Sequence, residues 1–361
     1  MGPRLLMAAG GTGGHVWPAV AVAQAIRRQR GDARFLFVGA GRPVEAAILD
    51  PLGFPRETIP ARGLKGRGLA GKAASAGTGF LGLVKALSII RRFKPHLAFG
   101  AGGYATGPVG LAAFLSRTPL AIHEQNQKAG LTNRYLGKMA RQVFLGAAGS
   151  EGFAPEKTMV VGNPVREAIL RVERRARPEG APFTLLLLGG SQGARALNRA
   201  LGAALPFLAQ KRDSYRIIHQ AGAAGLAETR ELYEGSGLNV ELLGFAPDIE
   251  RLYGEADLAV ARAGALTIAE LRAVGLPAIL TPLPTAADDH QSANARAMAE
   301  RGAALWLPES EATGERLFSL IESLRKDAPR LLEMGRKARE LFAPDAAEAM
   351  ARRVLEIVAS R

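Results

Sequence analysis

Two doubly wound α/β domains, each a parallel sheet with helices on both faces, are the fold that this 361-residue sequence predicts. Three observations predict it. A short apolar run that ends in glycines and passes at once into a helix occurs twice, roughly half a chain apart. The copies are Met7-Ala8-Ala9-Gly10-Gly11-Thr12-Gly13-Gly14-His15 and Leu185-Leu186-Leu187-Leu188-Gly189-Gly190-Ser191-Gln192-Gly193-Ala194-Arg195. Around each copy, strand-like and helix-like runs alternate, which is the pattern of a parallel sheet. The length exceeds one ordinary core and suits two. Glycines let the backbone turn tightly and approach a ligand, and a helix N-terminus offers N–H groups to an anion. Two such loops suggest two similar halves facing each other across a cleft, a transferase-like layout.

The elements follow in order. Strands are predicted at Arg4–Ala8, Arg34–Val38, His96–Gly100, Leu120–Ile122 and Gln142–Leu145, with Met159–Val161 as a short closing strand. Helices fit between them at Trp17–Arg28, Val44–Leu52, Thr78–Arg92, Pro108–Leu115 and Gly130–Met139. The polar, basic, proline-terminated segment Arg166–Pro182 is read as the hinge. The pattern restarts with strands at Phe183–Leu188, Tyr215–His219, Val240–Leu243, Leu258–Ala261, Ala278–Leu280 and Ala303–Trp306, and a helix at Ala346–Ser360 closes the chain.

Composition narrows the class. Nearly half the residues are hydrophobic, so the chain is globular rather than disordered. Without cysteine it has no disulfide, thiolate nucleophile or cysteine-ligated metal, which fits a reducing compartment. The first residues run straight into a strand with no leader-like segment, and no apolar stretch reaches the ~18–20 residues that span a bilayer. The expectation is a cytosolic protein, or one held at a membrane from the cytosolic side.

Charge is lopsided. The net charge is +14, yet 21 basic and seven acidic residues fall in positions 1–160 and 26 of each after them. Between Arg56 and Lys94 stand nine basic residues, among them Arg62, Lys65, Arg67, Lys72 and Lys85, against Glu57 alone. Such a patch attracts a polyanion or an anionic membrane surface, or else it is a solvated basic face. The Thr78–Arg92 helix sets Phe80, Leu81, Leu83, Val84, Leu87, Ile89 and Ile90 beside Lys85, Arg91 and Arg92. That composition suits an interfacial helix, and equally an ordinary helix packed on the sheet.

A third glycine loop, Gly100-Ala101-Gly102-Gly103-Tyr104-Ala105-Thr106-Gly107, also follows a strand and precedes a helix. Two anion loops in one domain suggest a diphosphate-bearing ligand. His123-Glu124-Gln125-Asn126 follows the next strand and so falls at the carboxyl edge of the sheet, where open α/β sheets bind ligands. His123 and Glu124 could be an acid/base pair or hydrogen-bonding braces of loops.

Taken in order, the first glycine loop, Gly100–Gly107, His123–Asn126, Gly162-Asn163-Pro164-Val165-Arg166, Gly189–Arg195, Arg262-Ala263-Gly264-Ala265-Leu266-Thr267-Ile268-Ala269-Glu270, Asp289-His290-Gln291 and Asn294 resemble one family. It is the MurG family of bacterial peptidoglycan glycosyltransferases, inverting enzymes that move N-acetylglucosamine from UDP-GlcNAc to lipid I and so make lipid II. The resemblance runs from the first strand to the last helix. It implies two Rossmann-like domains in the glycosyltransferase B arrangement and a peripheral enzyme on the cytoplasmic face of the plasma membrane. It divides the chain into an acceptor and membrane-associating domain (1–165), a UDP-GlcNAc domain (166–340) and a closing helix (341–361) packing back toward the first.

Residue by residue, the resemblance implies that Ser191 and Gln192 receive the UDP diphosphate with added charge from Arg166. Glu270 would hold the ribose hydroxyls, since a carboxylate can accept two hydrogen bonds from a diol. Phe245 and Ala246 would flank uracil, Ala265, Leu266 and Thr267 would face the α-phosphate, and His290, Gln291 and Asn294 would contact the sugar. Thr12, Gly13, Gly14 and Asn126 are also implied UDP-GlcNAc contacts, while Gly11, Gly102, Gly103 and Tyr104 would cradle the lipid I diphosphate. The attacking group is the C4 hydroxyl of N-acetylmuramic acid, a weak nucleophile that a base would help. His15 is the first candidate, as an imidazole with an ordinary pKa of about 6.5 suits neutral pH; Glu124 is the second, and a loop-bracing role remains open for His15. Arg62, Lys65, Arg67, Lys72, Phe80, Leu81 and Lys85 would meet anionic phospholipid, and cell-wall synthesis proteins are further candidate partners. No cofactor and no obligatory metal are expected, because Asp288-Asp289 does not form an Asp-X-Asp pattern. Trp17, Ala263 and His290 depart from residues common in the family (phenylalanine, serine and glutamine).

Three other readings compete. A diacylglycerol glycosyltransferase would share the fold but use a different acceptor, and an acceptor assay separates the two. A UDP-sugar epimerase would turn over UDP-GlcNAc without lipid. A nucleic-acid binder would need aromatics interleaved with the basic run or a recognised motif, and the sequence has neither, so no nucleic-acid partner is expected.

Overall fold

The computed structural model describes residues 2–61, 69–174, 177–189 and 195–360, with 69–76 described by backbone alone and the side chain of Ala287 left out. Its described residues divide into two compact units, Met1–Arg166 together with Ala343–Arg361, and Glu167–Phe342.

In the first unit the order is β1 (Arg4–Ala8), α1 (Gly13–Gln29), β2 (Arg34–Gly39), α2 (Pro43–Leu49), β3 (Arg56–Thr58), α3 (Leu69–Phe93), β4 (Leu97–Gly100), α4 (Thr106–Leu115), β5 (Leu120–Glu124), α5 (Leu131–Met139), β6 (Gln142–Leu145) and β7 (Thr158–Val160). The strands form one parallel sheet in the order β3-β2-β1-β4-β5-β6-β7. Alternate residues of β1 enter two different cores, as a two-fold side-chain period requires. Leu5 and Met7 join Phe35, Phe37 and Phe99 under α1, while Leu6 and Ala8 join Val38, Ala98 and Ile122 under α3, α4 and α5. Both faces are therefore covered, and fully apolar strands were the signal for that.

The second unit runs α6 (Glu167–Leu170), β8 (Phe183–Leu188), α7 (Arg195–Ala209), β9 (Tyr215–Gln220), α8 (Leu226–Tyr233), β10 (Asn239–Leu243), α9 (Ile249–Glu255), β11 (Leu258–Ala261), α10 (Ala265–Val274), β12 (Ala278–Leu280), α11 (His290–Glu300), β13 (Leu305–Trp306), α12 (Gly314–Lys326) and α13 (Ala328–Glu340). Its parallel sheet has the order β10-β9-β8-β11-β12-β13. The last helix, α14 (Ala346–Ala359), returns to the first unit, where Met350, Val354 and Ile357 pack against α1 and Arg353 donates to Gln142 at 2.8 Å.

Both sheets grow outward in two directions from their first strand. The reversal lies between β1 and β4 in one unit and between β8 and β11 in the other. At such a switch point the loops leaving adjacent strands diverge and open a crevice at the carboxyl ends. The glycine loops after β1, β4 and β8 leave from these strands. Among the differences from the sequence reading, α3 begins at Leu69 rather than Thr78, α6 lies inside the segment read as the hinge, and two concern strands. The strand β3 went unread because Arg-Glu-Thr has no apolar signal, and β13 is only two residues long.

Candidate active site

At the first unit's switch point the two glycine loops pack on each other. Gly103 has φ +83°, and a side chain there would enter the van der Waals shell of the Gly10 carbonyl, so only glycine lets the loops approach this closely. Thr106 Oγ1 donates to Gly102 O at 2.7 Å and Ala8 O at 3.2 Å, tying the second loop to the end of β1. The first turn of α1 carries His15, whose ring packs against Gly102; a Cβ there would stand 2.6 Å from Nδ1. Gln125 Nε2 donates to Ala101 O at 2.8 Å and approaches His15 Nδ1 at 3.5 Å, the outer limit of a hydrogen bond. Tyr104 is exposed beside Gly103.

Glu124 is buried at the end of β5 and its carboxylate is heavily engaged. One oxygen accepts from the Asn126 backbone N–H at 3.0 Å and from Asn126 Nδ2 at 3.1 Å. The other accepts from Gly130 N–H at 3.0 Å and Asn133 Nδ2 at 2.9 Å. Four donors leave this carboxylate the chemistry of a loop brace. His123 is buried and its pKa is pushed down to about 3 by that burial, so it stays neutral, although Gly162 and Asn163 nearby favour the charged form. Neither ring nitrogen has a partner of hydrogen-bond geometry among the described residues.

Other predicted residues sit as follows. Thr12 is the N-cap of α1 and gives its carbonyl to the N–H groups of His15 and Val16; Gly13 and Gly14 form the helix's first turn. The Gly11 amide, expected to face an acceptor phosphate, donates instead to Glu45 Oε1 at 2.8 Å. Arg166 stacks on Trp17 at 4.6 Å, a cation–π contact that fixes the guanidinium against α1.

In the second unit, β8 leads through Gly189, whose N–H donates to Gln220 O at 3.0 Å. Gly190, Ser191, Gln192 and Gly193 lie outside the described residues. Beneath the first turn of α7 runs a neutral chain of hydrogen bonds. Tyr233 Oη meets His219 Nδ1 at 3.0 Å, His219 Nε2 meets Asn198 Oδ1 at 3.1 Å, and Asn198 Nδ2 donates to Ala221 O and Thr229 Oγ1, each at 3.2 Å. Burial lowers the His219 pKa to about 4.

Next to β8, β11 passes through Arg262-Ala263-Gly264 into α10, with Gly264 as N-cap and Ala265, Leu266 and Thr267 in the first turn. Glu270 is buried one turn further on, and Tyr253 Oη on α9 donates to its Oε2 at 2.9 Å. Phe245, 61 % exposed, and Ala246 lie in the loop between β10 and α9. At α11, Asn294 Nδ2 donates to Ala263 O at 3.1 Å and Gln291 Oε1 accepts from Leu283 N–H at 2.9 Å, while His290 opens the helix.

The α3 helix divides its apolar residues. Ala86, Ile89 and Ile90 enter the core, and Phe80 (65 % exposed), Leu81 (60 %) and Val84 face outward with Lys85. Neighbouring α4 exposes Phe114 and Leu115. Arg62, Lys65 and Arg67 fall outside the described residues, as does the side chain of Lys72. No helix among the described residues is long and apolar enough to cross a membrane.

Comparison with known proteins adds to this geometry. Residues 5–145 match the glycosyltransferase family 28 N-terminal domain and residues 184–350 its C-terminal domain. A protein of Alkalilimnicola ehrlichii is 47 % identical over 98 % of both chains. The chain belongs to glycosyltransferase family 28. That family 28 relative is named UDP-N-acetylglucosamine–N-acetylmuramyl-(pentapeptide) pyrophosphoryl-undecaprenol N-acetylglucosamine transferase, as is one from Geobacter sp. strain M21, 42 % identical over 96 % of this chain and 94 % of its own. The crystal structure of Acinetobacter baumannii MurG superposes with a TM-score of 0.76 at 33 % identity, covering 99 % of this chain and 100 % of that one. UDP-GlcNAc 2-epimerase from Neisseria meningitidis shares the fold, with a TM-score of 0.72 at 13 % identity over 98 % and 100 % of the two chains.

Within this family 28 chain, the structure brings Gly11, Thr12, Gly13, Gly14, His15, Gly102, Gly103 and Tyr104 together at one switch point. It places Ala265, Leu266, Thr267, Glu270 and Asn294 together at the other. Two residues that sequence reasoning missed, Glu45 and Tyr253, support them, and so does Gln125, named there only within its motif. A signal for Glu45 existed, since a glutamate at the third position of a proline-started helix reaches back to the preceding amides. Tyr253 carried none, because its partner comes from a different helix.

Proposed function

We propose that this chain transfers N-acetylglucosamine from UDP-GlcNAc to the C4 hydroxyl of the N-acetylmuramic acid in lipid I, with inversion at C1, releasing lipid II and UDP. The observation that carries the reading is the end-to-end match to transferases of that name, at 47 % identity over 98 % of the chain. The epimerase reading has only a shared fold in its support.

The residue roles belong to the same proposal. His15 is the base that takes the C4 hydroxyl proton. It sits beside both glycine loops, and Gln125 Nε2 approaches its Nδ1 at 3.5 Å. Glu124, with four donors on its carboxylate, is the brace of that loop. The Gly102-Gly103-Tyr104 loop receives the acceptor diphosphate. In the second unit Glu270, held by Tyr253, accepts the ribose hydroxyls, Phe245 and Ala246 flank uracil, Ala265–Thr267 face the α-phosphate, and His290, Gln291 and Asn294 read the sugar. Ser191 and Gln192, which precede α7 in the sequence, take the diphosphate, and the positive end of the helix dipole offsets the charge on departing UDP without a metal. Arg166 adds a fixed cation. Phe80, Leu81 and Lys85 with Arg62, Lys65, Arg67 and Lys72 hold the enzyme on anionic lipid at the cytoplasmic face of the plasma membrane.

Transfer of labelled N-acetylglucosamine from UDP-GlcNAc to a lipid I analogue in the presence of EDTA tests the reading. Lipid II analogue is the expected product. Epimerised UDP-sugar without transfer, or product only from diacylglycerol, would overturn it.

A further inference from the structure

Glu45 is 2 % exposed, and its carboxylate is wrapped in backbone amides. Oε1 accepts from Gly11 N–H at 2.8 Å and Ala40 N–H at 3.1 Å, and Oε2 accepts from Gly41 N–H at 2.9 Å. Glycine walls the slot: a Cβ at Gly10 would stand 2.7 Å from Oε1, and one at Gly39 would collide with the carboxylate outright. A nest of N–H groups behind a glycine turn is an anion site. Here the chain supplies the anion itself, from 34 residues further on.

We propose that Glu45 is the resident anion of the first glycine loop and the positioning residue for His15, so that this loop orders the base instead of binding the acceptor's diphosphate. Contacts connect the two residues. Glu45 fixes the Gly11 amide, Gly10 lies against Gly103, and neighbouring Gly102 packs on the His15 ring. Only Thr12, Gly13 and Gly14 separate Gly11 from His15 along the chain. A second anion brought to the same amides would meet a carboxylate already there, which directs the acceptor's phosphates to the Gly102–Tyr104 loop. The inference rests on the transfer reaction and on His15 as its base.

The test compares full-length wild type, E45Q, E45A and H15A. Steady-state transfer gives kcat and the acceptor KM, calorimetry gives UDP affinity, and carbon–proton NMR follows the His15 imidazole, assigned by its absence in H15A. E45Q keeps the slot's shape and one acceptor oxygen but turns an NH2 toward an N–H, so it stays useful if E45A fails to fold. In E45A, kcat should fall about 10²-fold, the scale expected when a reacting group is misplaced by about 1 Å. E45Q should lose less, with acceptor KM and UDP affinity unchanged in both. The His15 resonance should move in E45Q while those of His219 and His290 stay. An unmoved His15 resonance with wild-type kcat in E45Q overturns the proposal, and so does a lowered acceptor KM, which would reveal a phosphate site relieved of repulsion. If H15A retains wild-type kcat, the base assignment fails separately, and the NMR shift still decides whether Glu45 positions His15.

Discussion

Acid should loosen the second unit through His219, by an amount the structure sets. The ring is 1 % exposed between Asn198 and Tyr233, and burial brings its pKa to about 4 from the ordinary 6.5. Above pH 6.5 the imidazole is neutral in folded and unfolded chains alike and contributes nothing to the pH dependence. As pH falls below 6.5 the unfolded chain binds a proton that the folded chain refuses, so stability drops until about pH 4. A shift of this size removes about 2 kcal/mol between pH 7.5 and 5, and about 3 kcal/mol below pH 4. His123 acts in the same direction in the first unit, so a probe specific to the second is needed. The two tryptophans provide one, because Trp17 belongs to the first unit and Trp306 to the second.

In a W17F background, urea unfolding followed by Trp306 fluorescence should be compared with and without H219Q at both pH values. H219Q is less stable at pH 7.5, since Asn198 and Tyr233 lose their partner, yet it should lose about 2 kcal/mol less than its parent on moving to pH 5. Equal losses in the two proteins would refute the claim that a buried neutral His219 underlies the acid sensitivity of this unit.

Three further outcomes are expected. Gly103→Ala forces a methyl group against the Gly10 carbonyl at a positive φ, and kcat should drop about 10²-fold with UDP affinity intact by calorimetry. Tyr253→Phe takes one donor from the Glu270 carboxylate and should weaken UDP binding roughly tenfold, at about 1.5 kcal/mol for a hydrogen bond to a charged group, without changing the acceptor KM. The double substitution Phe80→Ser with Leu81→Ser should reduce co-sedimentation with anionic vesicles and leave kcat on a water-soluble acceptor unchanged, since both side chains point outward.

The doubly wound fold was legible because a strand covered on both faces must be apolar throughout, and Leu5-Leu6-Met7 and Leu185–Leu188 have no polar alternative to that placement. Edge strand β3 pairs only with β2, so nothing required Arg56-Glu57-Thr58 to be apolar and no signal was written there. Glycines mark the first unit's switch point for a similar reason: close approach excludes a Cβ at Gly10, Gly102 and Gly103, and the sequence records the exclusion. What fills a turn comes from elsewhere in the chain. Glu45 lies 34 residues from Gly11, and Tyr253 reaches Glu270 from a separate helix. The acid in His123-Glu124-Gln125-Asn126 could be read as a base because its type fits. Only the placement of Gly130 and Asn133 shows its lone pairs already taken.

Charge, rather than glycine content, then separates two turns that look alike in sequence. Behind the first turn stands a carboxylate, which consumes the Gly11 amide and adds a negative charge at the entrance to α1. Under the start of α7 stands an imidazole kept neutral by burial, joined to Asn198 and Tyr233 through uncharged hydrogen bonds. A helix N-terminus carries roughly half a positive charge, and only an unoccupied one can give that charge to a ligand. The α1 end is partly neutralised from within, whereas the network beneath α7 holds no such anion among the described residues. A diphosphate leaving group therefore gains more at α7, and the proton acceptor, which must not sit beside a strongly positive site if it is to remain basic, gains more at α1. The proposed placement of UDP on the second unit and of the base His15 on the first would then have a single electrostatic reason. Exchanging the two buried groups, a carboxylate under α7 or a neutral side chain behind Gly11, should weaken each unit in the property the other does not need.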